Sequence, residues 1–479
     1  MDGLETIGRV RVLNSKETGS SVFGLGLEKL DRGLYDPENA YDRIAESGVR
    51  WIRIQSGWNR TEREAGLYDF AWLDRIVDQL RRRNLVPWLC LCYGNKIYDP
   101  KSAEIFGAVG CPPRTEEQKQ AWLRYVRATV EHFKGRIDRY EIWNEPDGVW
   151  CWKCGVNGAE YGELLKMSAR VIREADPAAK VIGGAICRFD LQWLQEMLKT
   201  GAGKAMDLLS YHGYNPDETV TIRVMRAVKA LCHMYNPELK FVEGENGAQS
   251  RRSRAGALWG AAWTPRRQAK ALARMMLLHL MEGVEICSYF SCLDMAEALN
   301  GTTEDRKTYR DYAYFGVLAA TFTPDGIATG AYTPKPAFRT LQVLASIFQG
   351  EYRMQTLPIL MDPHFLNGFP QTEPSWRIRR TDDSAREIIS QGFVKPGCRY
   401  GFVYWVPKEV LTTEYESTIT LECCGLTGEI HLVDLLDGTV YALPEEMVET
   451  DGSGWYRLKH IPVRDSPLLL AFGDFVEMA

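Results

Sequence analysis

Two short apolar runs of this chain each end in carboxylates. One closes as Tyr140-Glu141-Ile142-Trp143-Asn144-Glu145-Pro146, the other as Phe241-Val242-Glu243-Gly244-Glu245-Asn246-Gly247. Two carboxyl groups flanking a glycosidic bond can break it: one protonates the leaving oxygen, and the other attacks the sugar or activates water. Direct attack needs the pair about 5–5.5 Å apart. A single Glu at the end of a run is ordinarily solvated surface. Two such ends, one beside Trp and Asn and the other between Gly and Asn-Gly, point to chemistry instead. In the second run Glu243 and Glu245 share a strand parity, so both are expected on one side. Glu245 lies nearer the exit and is preferred as nucleophile, with Glu243 as the alternative.

Such a pair needs a scaffold that brings distant segments together. Eight apolar runs are spaced along residues 20–348: Val22–Leu27, Val49–Ile54, Leu85–Tyr93, Arg139–Trp143, Lys180–Ala185, Leu208–His212, Lys240–Glu245 and Val284–Phe290. Amphipathic segments such as Phe70–Arg83, Thr115–Phe133, Gly158–Ala175 and Pro265–Glu282 separate them. Thr115 with Gln118 reads as a capping box, and Thr264-Pro265 as an N-cap followed by Pro at the first helical position. Alternating strands and helices predict α/β architecture, a (β/α)8 TIM barrel. The rival, a doubly wound open sheet, usually carries a Gly-rich turn after an early strand. Gly24-Leu25-Gly26 lacks its third glycine. In a barrel, catalytic groups sit at the C-terminal ends of strands. Runs four and seven lie on different sides of a narrow mouth.

From about Glu351 the texture changes. Tyr400–Val406, Ser417–Leu421, Glu429–Leu435 and Leu468–Phe472 are strand-like, and Lys395-Pro396-Gly397, Asp437-Gly438 and Asp451-Gly452 punctuate them as turns. Residues 349–479 are therefore read as an antiparallel β-sandwich domain, and residues 1–19 as an N-terminal segment that pairs with it. The chain has 479 residues with 58 Lys+Arg against 63 Asp+Glu, a net charge of −5. That balance argues against a nucleic-acid partner. No run reaches the ~18 apolar residues of a membrane span. Met1–Ser20 shows no apolar signal core, which gives the expectation of a cytoplasmic protein acting on short, imported glycosides, hence an exo mode.

The motifs resemble the clan A glycoside hydrolases, whose signature is Asn-Glu after strand four and Glu after strand seven. Trp143-Asn144-Glu145-Pro146 matches the first. Gly244-Glu245-Asn246-Gly247 is similar to the nucleophile segment. Ser210-Tyr211-His212-Gly213-Tyr214 looks like a stretch after strand six in a family 39-like group, and Gly48-Val49-Arg50-Trp51-Ile52-Arg53 resembles the strand-two segment whose Arg supports the site. The resemblance covers residues 20–345. It implies a retaining glycosidase acting on β-xylosides, β-glucosides or β-galactosides with no cofactor needed for catalysis. Glu145 would be the acid/base, starting protonated, and Glu245 the nucleophile. Asn144 would bond the 2-hydroxyl, Tyr214 or His212 would orient Glu245, and Arg53 would favour its ionised form. An endo-acting glycanase of the clan, or a non-catalytic carbohydrate-binding barrel, are the alternatives. Homo-oligomers, common in the clan, are also implied.

Other residues near run ends are candidates for the sugar pocket. Trp58 and Trp150 head a set of aromatic residues suited to stacking on sugar rings, with Tyr93, Trp152, Trp259, Trp263, Tyr289 and Phe290. Glu28, Gln55, Asn95 and Lys96 could bond hydroxyls. Arg251, Arg252 and Arg254 follow the proposed nucleophile and suit an anionic substrate or an oligomer contact. Of 12 cysteines, Cys90, Cys187, Cys287 and Cys423 read as core. Cys111, Cys151 and Cys154 are placed like a cysteine cluster that holds structural zinc in some family 42 β-galactosidases. A closed zinc site needs four ligands, and the fourth is not evident. Free thiols and a disulfide are the competing readings.

Overall fold

The computed structural model describes residues 1, 3–103, 112–153, 155–297, 311–361 and 388–479. Eight parallel strands close into a barrel: Phe23–Gly26, Trp51–Gln55, Val86–Leu91, Arg139–Ile142, Lys180–Ile186, Leu208–His212, Lys240–Asn246 and Ile286–Tyr289. Closure is direct, with Cys287 opposite Phe23 and Ser288 opposite Gly24. These strands correspond to the eight apolar runs. Between them lie helices including Ala71–Arg81, Glu116–Phe133, Gly158–Ala175, Glu218–Tyr235 and Pro265–Met281. Thr115 and Gln118 form the reciprocal capping box, and the Thr264 side chain accepts from the Arg267 N–H with Pro265 in the first turn.

The barrel interior changes character along its axis. Trp88, Ile182, Leu208, Val242 and Ile286 fill one buried layer. Next to that layer sit Arg53 and Glu141, both without solvent exposure. The Trp88 indole N–H donates to Glu141 across 3.3 Å and marks the boundary. The apolar plug excludes water below, so charged groups above it act in a low-dielectric space.

The tail forms two antiparallel sheets, one of seven strands and one of four. The N-terminal strand Thr6–Arg9 joins the larger sheet by pairing with Thr439–Ala442. Alternation in that sheet is apolar on both faces. Leu468, Leu470 and Phe472 face the smaller sheet, while Leu469 and Ala471 belong to the core shared with the barrel. A sheet buried on both sides reads as a continuous apolar run, which is the pattern of Leu468–Phe472. Buried polar contacts fasten the two parts. Lys270 of the helix Pro265–Met281 lies 2.7 Å from Asp465, and the Trp405 indole N–H donates to Glu218 at 3.0 Å. Among the described residues no helix is long and apolar enough to cross a membrane.

Candidate active site

Strand seven decides which carboxylate reaches the mouth. Glu243 lies opposite Tyr211 and Glu245 opposite His212, so strand seven carries one additional residue, Gly244. This is a β-bulge, which re-aims the side chains after it. Glycine suits the position: a Cβ there would stand 2.4 Å from the Ser210 hydroxyl, which would have to move. The two-residue parity expected from the sequence therefore breaks. Glu243 turns toward the helix Pro265–Met281, where Oε2 lies 3.3 Å from Nε2 of His279. Its Oε1 accepts from the Gly213 N–H at 2.7 Å. Glu245 turns to the mouth.

Arg53 stands at the centre of the site with no solvent exposure. Nε donates to Glu141 at 2.6 Å, and Nη2 to Oδ1 of Asn144 at 2.8 Å. Nη1 donates to Oε1 of Glu245 and lies 3.5 Å from Glu28. The planar fork fixes three side chains from two strands at once, Glu141 and Asn144 at the end of strand four and Glu245 of strand seven. Tyr214 donates its hydroxyl to Oε2 of Glu245 at 2.8 Å.

Strand four ends in strained backbone. Trp143 has φ 66° and Glu145 φ 45°, left-handed values that cost side-chain-bearing residues about 1–3 kcal/mol each. Packing over-determines them. The Trp143 ring meets Tyr93, Trp122 and Trp152 edge-on, and its indole N–H donates to the Cys151 carbonyl at 2.8 Å. Trp143 is thus an anchor under the site. Glu145, released by that turn, meets Nδ1 of His212 at 2.8 Å through Oε1 and accepts from the Trp150 indole through Oε2. Trp150 is 45 % exposed and rims the opening. Ligand-capable atoms of Glu145, His212 and Glu245 all lie within 4.8 Å of one another.

These surroundings separate the protonation behaviour of the carboxyl groups. Burial disfavours ionised Glu245, but His212, Arg53, the Tyr214 hydroxyl and Lys29 together hold its carboxyl below the ordinary value. Glu28, 1 % exposed, is pushed up to about 8 by burial and by the neighbouring Glu245 charge, against the pull of Arg53. Burial also pushes Glu243 well up and His279 down to about 3. His212 moves up: burial opposes its charge, but Glu245 and Glu145 outweigh it.

The structure gathers Glu145, Glu245, Asn144, Arg53, His212, Tyr214, Trp150 and Glu28 into one cluster. Three details differ from the sequence-based expectation. His212 lies closer to Glu145 than to Glu245, 2.8 Å against 3.7 Å, because it precedes the Gly213 turn while Tyr214 follows it. Trp58 is 2 % exposed and stacks on Tyr98 and Tyr125, so its ring faces are already covered. Asn95 spends its amide on the Glu62 and Trp58 carbonyls at 2.8 and 3.3 Å, which leaves it a loop brace.

Sequence reasoning missed the Arg53–Glu141 contact and the ion pair of Lys29 with Glu297, since neither has a local signal. It also missed that the Cys151 thiol faces the site. Sγ accepts from the Asn144 amide at 3.5 Å and lies 3.9 Å from Oε2 of Glu145. Burial pushes that thiol well up. The contacts of Cys151 are with Asn144 and Glu145 of the catalytic cluster, and the other two cysteines of the expected zinc cluster, Cys111 and Cys154, lie outside the described residues. Cys90, Cys287 and Cys423 are buried, and Cys187 is half-buried with its thiol 3.2 Å from Asp147.

A β-xylosidase of Geobacillus stearothermophilus is 31% identical over 161 residues, which span 31% of this chain and 31% of that protein. The match thus covers about a third of the curated relative's length. A family 39 glycoside hydrolase from Bacteroides cellulosilyticus shares the fold with TM-score 0.67 at 18% identity, covering 97% of this chain and 83% of that one. A monomeric beta-xylosidase from Caulobacter crescentus aligns with TM-score 0.60 at 16% identity over 97% of each chain. The family model described as glycosyl hydrolases family 39 matches residues 45–354, and the chain belongs to that family of glycoside hydrolases.

Proposed function

We propose that the protein is a retaining, exo-acting β-glycosidase that releases xylose from β-xylosides or short xylo-oligosaccharides. The observation that carries the reading is that oxygens of Glu145 and Glu245 lie within 4.8 Å of each other. That spacing suits direct attack; an inverting enzyme keeps its carboxyl groups about 6.5–9.5 Å apart to admit a water. The β-xylosidase relative supports the choice of sugar and of exo action.

Glu245, held ionised by Arg53, His212 and Tyr214, attacks the anomeric carbon. Glu145 gives its proton to the departing oxygen. The glycosyl–Glu245 ester then forms, and Glu145, now a carboxylate, takes a proton from the incoming water. Water displaces Glu245 and the original configuration returns. Asn144 has its Oδ1 committed to Arg53, so its amide nitrogen is the end that donates to the 2-hydroxyl, a bond that strengthens in the transition state. Trp150 donates to Glu145 from the rim and presents its ring where the leaving group departs. Every group this double displacement needs is a side chain of the protein, so no cofactor takes part. The described cysteines are free thiols, which supports a cytoplasmic, reducing setting.

The test is an aryl-glycoside panel with NMR reading of the first-formed anomer. β-Xyloside as best substrate with β-xylose released first is the expected result. First release of α-xylose would overturn the mechanism, and a better β-galactoside would overturn the sugar. Random internal cleavage of xylan would overturn the exo mode.

A further inference from the structure

The loop leaving strand seven builds a second concave surface that the catalytic cluster does not use. A cleft of about 620 Å³ is lined by Arg252, Arg254, Trp259, Asp311, Tyr312 and Tyr314. Trp259 is 67 % exposed, an unusual position for the largest apolar side chain. Arg252 and Arg254 are exposed, and neither makes an ion pair among the described residues. The surface is fixed in place. The Ser250 N–H donates to the Tyr314 carbonyl at 2.9 Å, the Tyr314 N–H donates to the Gln249 side chain at 3.2 Å, and the Arg251 guanidinium lies 3.6 Å from the Tyr314 ring centre.

The cleft lies one aromatic layer from the chemistry. Phe315, next to Tyr314, packs against Tyr214 with ring centres 5.9 Å apart, and Tyr214 holds Glu245. The Trp259 face offers stacking to a sugar ring. Among the described lining residues, two guanidiniums stand against one carboxylate, that of Asp311, which favours an anion, and the guanidinium fork matches a carboxylate. Asp311 supplies an acceptor for sugar hydroxyls.

We propose that this cleft binds a carboxylate-bearing sugar unit, a uronate, adjoining the sugar held in the catalytic pocket, so that acid-decorated xylo-oligosaccharides are the preferred substrates. The inference rests on the glycosidase reading above for its substrate backbone, and on the arginine–tryptophan cleft for the acidic unit.

The experiment compares kcat/KM for a uronate-bearing xylo-oligosaccharide and its neutral counterpart in the wild type, in Arg252→Ala/Arg254→Ala and in Arg252→Lys/Arg254→Lys. Two charge-assisted contacts at a partly exposed site give an expected preference of about tenfold at low ionic strength. It should shrink toward unity in 0.5 M salt as screening grows (about 4 Å Debye length). The alanine pair should lose the preference, and the lysine pair should keep part of it. Trp259→Ala should weaken both oligosaccharides together. Equal rates on the two substrates in the wild type, or a preference that survives in the alanine pair, would overturn the proposal. A sulfated oligosaccharide preferred over the uronate would overturn the carboxylate assignment. If neither oligosaccharide is cleaved, the catalytic reading fails; calorimetric binding of both to Glu245→Gln then still decides the cleft, with tighter uronate binding for it and equal binding against it.

Discussion

The Gly213 N–H donates to Oε1 of Glu243 over 2.7 Å, so the carboxyl group two positions before Glu245 braces the turn between His212 and Tyr214. The bulge at Gly244 sends one glutamate outward to hold the scaffold and the other inward to the mouth. Burial pushes the Glu243 carboxyl well above its ordinary value, whereas His212, Arg53 and the Tyr214 hydroxyl, against burial, hold Glu245 below its own.

Glu245→Gln should cut turnover of an aryl β-xyloside by at least about 10³-fold with an unchanged circular dichroism spectrum. Glu243→Gln keeps an acceptor for Gly213 and should stay within about tenfold of wild type. The reverse outcome, with Glu243→Gln inactive and Glu245→Gln near normal, would exchange the roles of the two residues.

Tyr214→Phe removes a hydrogen bond to an ionised carboxylate, worth about 1.5–3 kcal/mol. Steady-state kinetics should show kcat/KM down by about 10–100-fold, with the acid limb of the pH profile moved upward because the phenol helps keep Glu245 ionised. An unmoved acid limb would remove Tyr214 from that role.

Stability should fall as pH rises from weakly acidic to weakly alkaline values. Glu28 is raised from 4.5 to about 8 in the fold. Its contribution is therefore complete below 4.5 and is lost as pH climbs through about 8. His212 is raised above 6.5, so its contribution is complete below 6.5 and also lost on the alkaline side. Below 6.5 His279, lowered to about 3 in the fold, acts in the opposite sense, so Tm measured between pH 6.5 and 8.5 should decline, and Glu28→Gln should flatten the slope. A variant slope equal to that of the wild type would show that Glu28 does not set it.

Trp150→Phe keeps a ring at the rim and deletes the donor to Glu145. Proton delivery matters most for poor leaving groups. Alkyl xylosides should lose about tenfold in kcat, and the p-nitrophenyl xyloside much less. Equal losses on both would place the role of Trp150 in binding.

Purified protein should hold zinc below about 0.2 per chain, since a closed structural site would be nearly full and the buried Cys151 thiol is engaged with Asn144 and Glu145. Stoichiometric zinc by elemental analysis, lost in Cys151→Ser, would restore the cysteine cluster.

The sequence by itself determined the strand and helix alternation, the two sheets of the tail, and the motif residues at the strand exits. Those features are local: apolar runs, caps such as Thr115 with Gln118, and turns such as Asp437-Gly438 all act within a few neighbouring residues. Tertiary structure decided what each carboxylate does. Parity along strand seven put Glu243 and Glu245 on one face until pairing with strand six inserted Gly244. Trp58 and Asn95 looked available at a strand exit until Tyr98, Tyr125 and the Glu62 carbonyl claimed them. Arg53 contacts Glu141 and Asn144 at the end of strand four and Glu245 of strand seven, and only barrel closure brings them within reach. Protonation follows the same rule, because a carboxyl group's charge is set by the burial and the neighbouring charges that folding assembles around it.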